Sequence, residues 1–411
     1  MKNNRTIIRN ENHIVITAMD TISVVSCFVG CLKQAIYKAG YQDIVLELPQ
    51  NITYYPNVIV PICGIIEYYR VAEGIDFIIN DKNRFNNKSI LSLYQPEKDI
   101  RELNRPLSKV WRFTTTQEVC DIQKRLIGEL RKEEIFADGV LEGLEWSINE
   151  VMDNVLNHSN SDAGFIMGQL HKTTKHVAFT VFDAGIGIYN SFKGSKINVR
   201  SNIDALSLCI QEGVTHDPKL GQGNGLAGLF SLIKEGNGLL NIASGRDTYS
   251  YFNGEVGTHL NQNNPISRDR GCTSIDFQID YSREVSIDKV LTFQGRSFSF
   301  TNLFLDDLEG ELGHLCFKVA KMSEGTGTRE SAMRLKNEII NSIKGKDLIA
   351  EVDFSGIEVV SSSYIDELIA KLLIELGLFQ FNRRIVLKNM SDLLQKTLQK
   401  SVVQRIIEDY T

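Results

Sequence analysis

The sequence predicts an α/β protein, and three observations carry that prediction. Strand and helix patterns alternate as β-α-β-α-β at the start of the chain and again at its end. The two runs share letters: Gln42-Asp-Ile-Val-Leu-Glu-Leu48 lines up with Lys346-Asp-Leu-Ile-Ala-Glu-Val352, each followed by a loop, a helix and a strand, as a diverged internal repeat would be. Between them, long amphipathic helix patterns alternate with apolar strands and glycine-rich turns. A length of 411 residues exceeds one ordinary core and suits two or three domains. The apolar share of 42% and net charge of −6 are those of a soluble globular chain, and the acidic balance gives no support for nucleic-acid binding.

Residues 1–108 read as the first unit. Strand patterns at 14–18, 43–48 and 75–80 alternate with helix patterns at 21–39, ended by Gly40, and at 58–69. The apolar runs at 14–29 and 58–66 are too short for membrane spans, and Asp20 interrupts the first. Met1-Lys-Asn-Asn-Arg5 does not lead into a signal-type apolar core. The 7 cysteines show no framework spacing and read as reduced core thiols, Cys27 and Cys31 being a helical pair without a nearby histidine. A cytoplasmic location is expected. Residues 101–108, with Pro106, form a polar passage onward.

The stretch 141–229 organises the chain through three motifs. The first is Glu150-Val-Met-Asp-Asn154-Val-Leu-Asn-His158, in a helical pattern whose apolar face carries Leu141, Leu144, Ile148, Val151 and Val155. Glu150 and Asn154 stand one turn apart on a neighbouring face. A carboxamide oxygen is a hard ligand suited to Mg²⁺, and a carboxylate beside it can accept a proton. A solvated helix face would look the same. The second motif, Asp183-Ala-Gly185-Ile-Gly187, follows the apolar strand 177–182. An Asp there can accept a hydrogen bond from an exocyclic amino group such as adenine's, or simply end the strand in a turn. The third, Gly221-Gln-Gly223-Asn224-Gly225-Leu226-Ala-Gly228, feeds an apolar helical pattern. Such a backbone offers N–H groups and a positive dipole end to an anion. It lacks the Gly-Lys-Ser/Thr of a Walker A loop and the βαβ setting of a dinucleotide site.

The order of the three motifs resembles the gyrase, Hsp90-type chaperone, histidine kinase and MutL superfamily of ATPases, over roughly residues 115–282. The resemblance implies a central α/β sandwich, one mixed sheet with helices on one face, at 109–282. It implies ATP and Mg²⁺ as cofactors, Glu150 as general base and Asn154 as the Mg²⁺ ligand. Asp183, Gly185 and Gly187 would bind adenine, with Thr273 of Gly271-Cys-Thr273 near that pocket. Gly221, Gly223, Asn224, Gly225 and Leu226 would wrap the phosphates. The pattern E-x-x-x-N-x-x-x-H, completed by His158, is closest in look to the anti-sigma-factor serine kinases. Asn157 stands where the MutL and chaperone branch usually has Asp, and no histidine has the context of a sensor-kinase phosphoacceptor. Residues 188–219 would be the nucleotide lid, with His216 a surface residue of it or a catalytic one. Residues 248–270 read as a long surface insertion poor in apolar residues, and 283–296 as a polar, charged linker.

The last unit, 297–411, has strand patterns at 315–320, 348–354 and 384–388, and helix patterns at 329–343 and 362–376. Val352-Asp-Phe-Ser-Gly-Ile-Glu-Val-Val-Ser361-Ser362-Ser363-Tyr-Ile-Asp366 resembles the STAS-like domains of anti-anti-sigma factors. In those domains the partner kinase phosphorylates a serine, which aligns with Ser362. Ser361 replaces their Asp and Tyr364 their Gly, and the serines equally fit a helix N-cap. The N-terminal repeat is a second STAS-like copy in this reading, without a serine at the corresponding 52–57. The expected protein is an ATP-dependent serine kinase or switch acting with STAS-like domains, or a slow ATPase whose lid closure drives conformational change or dimerisation. The expected partner besides ATP is another protein or a second copy of the chain, with neither nucleic acid nor membrane.

Overall fold

A computed structural model of the chain describes residues 6–84, 87–193, 197–214, 223–263, 266, 271–293, 295–297, 303–310 and 313–409. It is an α/β protein with two compact units. Residues 1–126 and 142–299 make the first, and residues 127–141 and 300–411 the second.

The first unit opens with a four-stranded sheet. Strands β1 (Ile7–Asn10) and β2 (His13–Ile16) pair antiparallel, and β3 (Asp43–Leu48) and β4 (Asp76–Asp81) then add in parallel. Helix α1 (Ser23–Lys33), continued by a π-helical turn at Gln34–Lys38, joins β2 to β3, and α2 (Pro56–Ala72) joins β3 to β4. This is the expected β-α-β-α-β run.

The central sheet has eight strands. They are β5 (Leu93–Tyr94), β6 (Val110–Phe113), β7 (Gly164–His171), β8 (His176–Asp183), β9 (Leu239–Ser244), β10 (Asp247–Phe252), β11 (Glu255–His259) and β12 (Thr273–Asp280). Their spatial order is β11-β10-β9-β12-β8-β7-β6-β5, antiparallel except for β5 beside β6. Helices α3 (Thr116–Glu133), α4 (Val140–His158), α5 (Ile188–Phe192), α6 (Asn202–Leu208) and α7 (Gly225–Glu235) interleave with these strands. A Cβ on Gly143 of α4 would meet the side chain of Leu232 of α7 at 2.5 Å, so the two helices lie in close contact.

Three expectations about this unit are corrected. The sequence drew a boundary at 108, yet β5 belongs to the central sheet, and α2 is buried against both sheets. Ile59, Ile62 and Ile66 of α2 share one core with Ile14, Ile44 and Leu46 of the first sheet and with Phe165, Met167 and Phe182 of the second. The central sheet is therefore covered on the face opposite α4 and α7 as well. At that seam Asn57 Nδ2 donates to Asp276 on β12 at 3.4 Å, beside donors from Thr180 and Asn241. Second, 248–259 is no loop insertion but the edge hairpin β10–β11. Its two-residue turn, Asn253 (φ 51°) and Gly254 (φ 84°), has the left-handed conformations that an Asn-Gly hairpin turn takes, and Tyr249 and Tyr251 are buried. Third, 283–296 is packed chain, not a free linker. It holds α8 (Ile287–Val290), β13 (Thr292–Phe293) and β14 (Arg296–Ser297), and it buries Val285, Val290, Leu291 and Phe293.

In the second unit, β15 (Leu315–Lys318), β16 (Ala350–Asp353) and β17 (Ile385–Lys388) form a parallel sheet in that order. Its helices are α9 (Leu303–Asp306), α10 (Val319–Met322), α11 (Arg329–Ile343), α12 (Ser362–Ile365), α13 (Lys371–Leu376), α14 (Leu378–Arg384) and α15 (Asp392–Asp409). The expected helix at 362–376 is α12 and α13 joined through a π-helical turn, Asp366–Ala370. This sheet and its helices enclose their own core around Phe317, Leu335, Ile339, Val352 and Leu368. No helix among the described residues is long and apolar enough to cross a membrane.

Candidate functional site

A cavity of about 380 Å³ in the first unit is lined by residues of all three sequence motifs. Its floor is α4, whose apolar stripe faces inward and leaves the adjacent polar face to the cavity. Glu150, Asp153, Asn154, Asn157 and His158 of that helix line it.

One end is built by the turn after β8. Asp183 Oδ1 accepts from Gly185 N at 2.8 Å, and Ile186 N donates to Ser159 O at 2.8 Å, which fixes the turn to the C-terminal end of α4. Gly187 has φ 80°, and a Cβ there would stand 2.9 Å from Ser244 Oγ, so the position needs glycine. Thr273 pairs across the sheet with Asp183 on one side and Ser244 on the other. Ser244 Oγ lies 3.3 Å from Thr273 Oγ1 and accepts from Ile188 N at 2.9 Å. Thr273 and Ile275 therefore face the cavity, while Ser274 and Asp276 point to the other side of β12.

The opposite end is the glycine segment. Gly223 has φ 72° and runs against the backbone of Val214, and Asn224 Oδ1 accepts from Gly213 N at 3.2 Å. Gly225 and Leu226 open α7, so the N-terminal, partially positive end of that helix borders the cavity. A Cβ on Gly225 would fall 2.6 Å from Glu150 Oε2 and 3.5 Å from Asn154 Nδ2. Only a backbone without a side chain approaches the Glu150–Asn154 pair so closely. Gly221 and His216 lie outside the described residues. Of the stretch read as a lid, the described part holds two short helices, α5 and α6, and irregular chain, with Ile188 and Phe192 lining the cavity.

Burial pushes the Glu150 carboxyl up to about 7, and the negative charge of Asp153 adds to the shift. Burial also raises Asp153, opposed by the hydrogen bond from Asn149 Nδ2 at 3.3 Å. A carboxyl poised near neutrality beside an amide is suited to take up a proton in a water-poor site. The donor set also fits Mg²⁺. The Asn154 amide and two nearby carboxylates are hard oxygen donors, and among the described residues no three His, Cys, Asp or Glu side chains form a closed cage. Such a site leaves positions for phosphate and water oxygens.

Sequence reasoning missed several lining residues. Asp153 stands inside the first motif and went unassigned. Trp146 lies one turn before Glu150 on α4. Phe293 is an apolar residue in what read as a polar linker. Ser244, which does not line the cavity but supports it through Thr273 and Ile188, carries no signal in its neighbourhood. In the second unit, Ser361 is the N-cap of α12, its Oγ accepting from Tyr364 N at 3.0 Å. Ser363 Oγ lies 3.0 Å from Ser361 Oγ, and Ser362 is exposed in the first turn.

Residues 331–395 match a family described as a STAS-like domain of unknown function, so the C-terminal module is STAS-like. No curated protein matches the chain. Among solved structures, that of a mycobacterial sensor histidine kinase, MprB, is similar over 41% of this chain and 95% of its own, with 18% identity and a TM-score of 0.24.

Proposed function

We propose that the chain is a cytoplasmic ATP-Mg²⁺-binding regulatory protein, a serine kinase or ATP-driven switch of the anti-sigma-factor kinase type acting with STAS-like domains. The observation that carries this reading is the gathering of Glu150, Asn154, Asp183, Gly187, Gly223, Gly225 and Thr273 around one cavity. Asp183 and Thr273 would hold adenine. Gly223, Gly225 and the start of α7 would hold the phosphates. Asn154 would hold Mg²⁺, which when bound offsets the charge of the phosphates. Glu150 would take the proton from the attacking hydroxyl. The N-terminal module is a diverged STAS-like copy in this reading. Its β2, β3 and β4 repeat the parallel order of β15, β16 and β17, with β3 and β16 as the central strands that carry the shared letters.

Ser362 is the proposed acceptor, since it is exposed while its neighbours are engaged with each other. The cap role of Ser361 accounts for part of the serine run without phosphorylation and favours a second reading. There Glu150 activates water, and the chain is a slow ATPase that changes conformation or dimerises.

Incubation with γ-labelled ATP and Mg²⁺, following both free phosphate and label on protein, separates the two. Label lost in Ser362→Ala supports the kinase. Free phosphate alone, lost in Glu150→Gln, supports the ATPase. Either activity should rise through about pH 7 as the Glu150 base ionises. Asp183→Ala should abolish nucleotide binding. Turnover at the wild-type rate in Glu150→Gln would remove Glu150 from its role.

A further inference from the structure

Strand β11 is one edge of the eight-stranded central sheet, and among the described residues no strand pairs with its outer side. Bulges, lysines and prolines are the devices that usually keep an exposed edge away from other strands. β11 has none of them. It pairs with β10 over all five residues in unbroken register, and Glu255-Val-Gly-Thr-His259 holds no Lys, Arg or Pro. Val256 is 56% exposed. The chain beyond the strand leaves the edge open. Asn261 N donates to Asp247 Oδ1 at 2.9 Å and Asn263 N donates to Arg246 O at 3.1 Å, so residues 260–263 fold back over the turn between β9 and β10.

The outward groups of β11 follow from its pairing. The two-residue turn at Asn253-Gly254 closes on Phe252 and Glu255 as a hydrogen-bonded pair, and bonded and non-bonded pairs alternate from there. Gly257 with Ser250 and His259 with Thr248 are therefore bonded pairs, and Val256 and Thr258 turn their N–H and C=O groups to the open edge. A second β11 running antiparallel uses all of these groups in one register alone, with Gly257 opposite itself. Val256 then pairs with the partner's Thr258 at both ends, which makes four N–H to C=O bonds across a two-fold axis. The same register sets Glu255 opposite the partner's His259, so a carboxylate meets an imidazole and not a like charge. A shift of two residues either way pairs Val256 or Thr258 with itself and separates Glu255 from that histidine. On the axis two Gly257 residues form a non-bonded pair, where Cα atoms come closest, at about 4.5 Å, and neither carries a side chain. The bare Cα also clears Ser250 Oγ within the hairpin, and His259 Nε2 lies 3.4 Å from that oxygen on the same face.

We infer that two copies of the chain join through β11, antiparallel about a two-fold axis at Gly257, so that their central sheets continue as one. The charge match and the single register that uses every outward group make a second copy the occupant of this edge. The pairing uses no residue that lines the cavity. It is therefore independent of the ATP reading and distinct from a dimer that forms only when a lid closes.

Sedimentation equilibrium of the full chain without nucleotide, from about 1 to 200 µM, reads the pairing. The wild type should dimerise reversibly within that range. Thr258→Pro removes one outward N–H from each copy and no bond to β10, and should weaken the dimer about tenfold or more. His259→Glu sets two carboxylates against each other at both ends, and should weaken it about fivefold or more. Adding Glu255→Lys to His259→Glu restores opposite charges in the same register and should return the dimer to within about twofold of wild type. That recovery separates a lost contact from a lost fold. A wild type that stays monomeric at the top of the range overturns the inference. So does a dimer that Thr258→Pro leaves intact, or one that the second charge change does not restore.

Discussion

Each unit contains a three-stranded parallel β-α-β-α-β layer, and in each a helix of that layer is sealed on a second side. The seals are chemically opposite. In the first unit α2 presents Ile59, Ile62 and Ile66 to a shared core, and Gly64 sits directly on the rings of Phe165 and Phe182. In the second unit α11 presents polar groups to residues 127–141. Arg334 pairs with Glu129 at 2.9 Å and with Glu133, and Asn337 Nδ2 donates to Lys132 O at 3.1 Å. Asn341 Nδ2 donates to Arg131 O at 2.8 Å and Glu134 O at 2.7 Å, while its Oδ1 accepts from Phe136 N at 2.9 Å. An apolar seam gains free energy in proportion to the area it removes from water, whatever the angular detail. A polar seam gains little net stability but demands that every partner be in register, since each unmet group is costly. The same layer is thus fused by the hydrophobic effect in one unit and keyed by hydrogen bonds in the other.

The largest test of that contrast is Gly64→Val. A Cβ there would lie 2.5 Å from Phe182 Cε1 and 2.9 Å from Phe165 Cδ2, in a layer closed on both sides. Overpacking should cost about 3 kcal/mol or more in urea unfolding followed on the first unit's signals. A loss below about 0.5 kcal/mol would mean the rings can yield and the seam is not close-packed. Asn341→Ala should come next. It removes the hydrogen bonds of Asn341 with Arg131 O, Glu134 O and Phe136 N at a position 5% exposed, for an expected loss of about 2–4 kcal/mol. An unchanged urea midpoint would show that water replaces the side chain and that the polar key is dispensable.

What was legible in the sequence follows from the range of each signal. The period of 140–158 and the strand 176–183 are local, and so was the placing of Glu150, Asn154 and Asp183. Helix 329–343 was read to the residue, since Thr328 caps it and its apolar positions repeat at helical spacing. Which surface α2 covers was not legible, because an apolar run says that a helix is buried and not what buries it. The edge hairpin could have been found, as Asn253-Gly254 directly after the alternating Tyr249 and Tyr251 is a strong short-range signal. Here the polar composition of 253–270 outweighed it. Phe293 and Trp146 could not have been joined, since 147 residues separate them and neither lies in a motif.

The smallest effect is the one most particular to the polar seam. Glu338 is 1% exposed, and burial pushes its carboxyl up to about 7 against the pull of Lys132, Arg131 and Arg334. The folded protein therefore holds this proton more tightly than the unfolded chain does. Its contribution to stability is complete below the ordinary carboxylate range and is lost as pH rises from there through about 7. The slope cannot exceed about 1.4 kcal/mol per pH unit for one group. Glu338→Gln keeps the shape and removes the titration. Because other buried carboxyls titrate too, the quantity to measure is the difference between wild type and Glu338→Gln in urea unfolding from pH 4.5 to 8. That difference should change steadily across the window and level off above about 7. Parallel pH profiles would mean that Glu338 stays ionised in the folded state, held by its cations, and that the seam is an ion-pair network rather than a protonated hydrogen-bonded one.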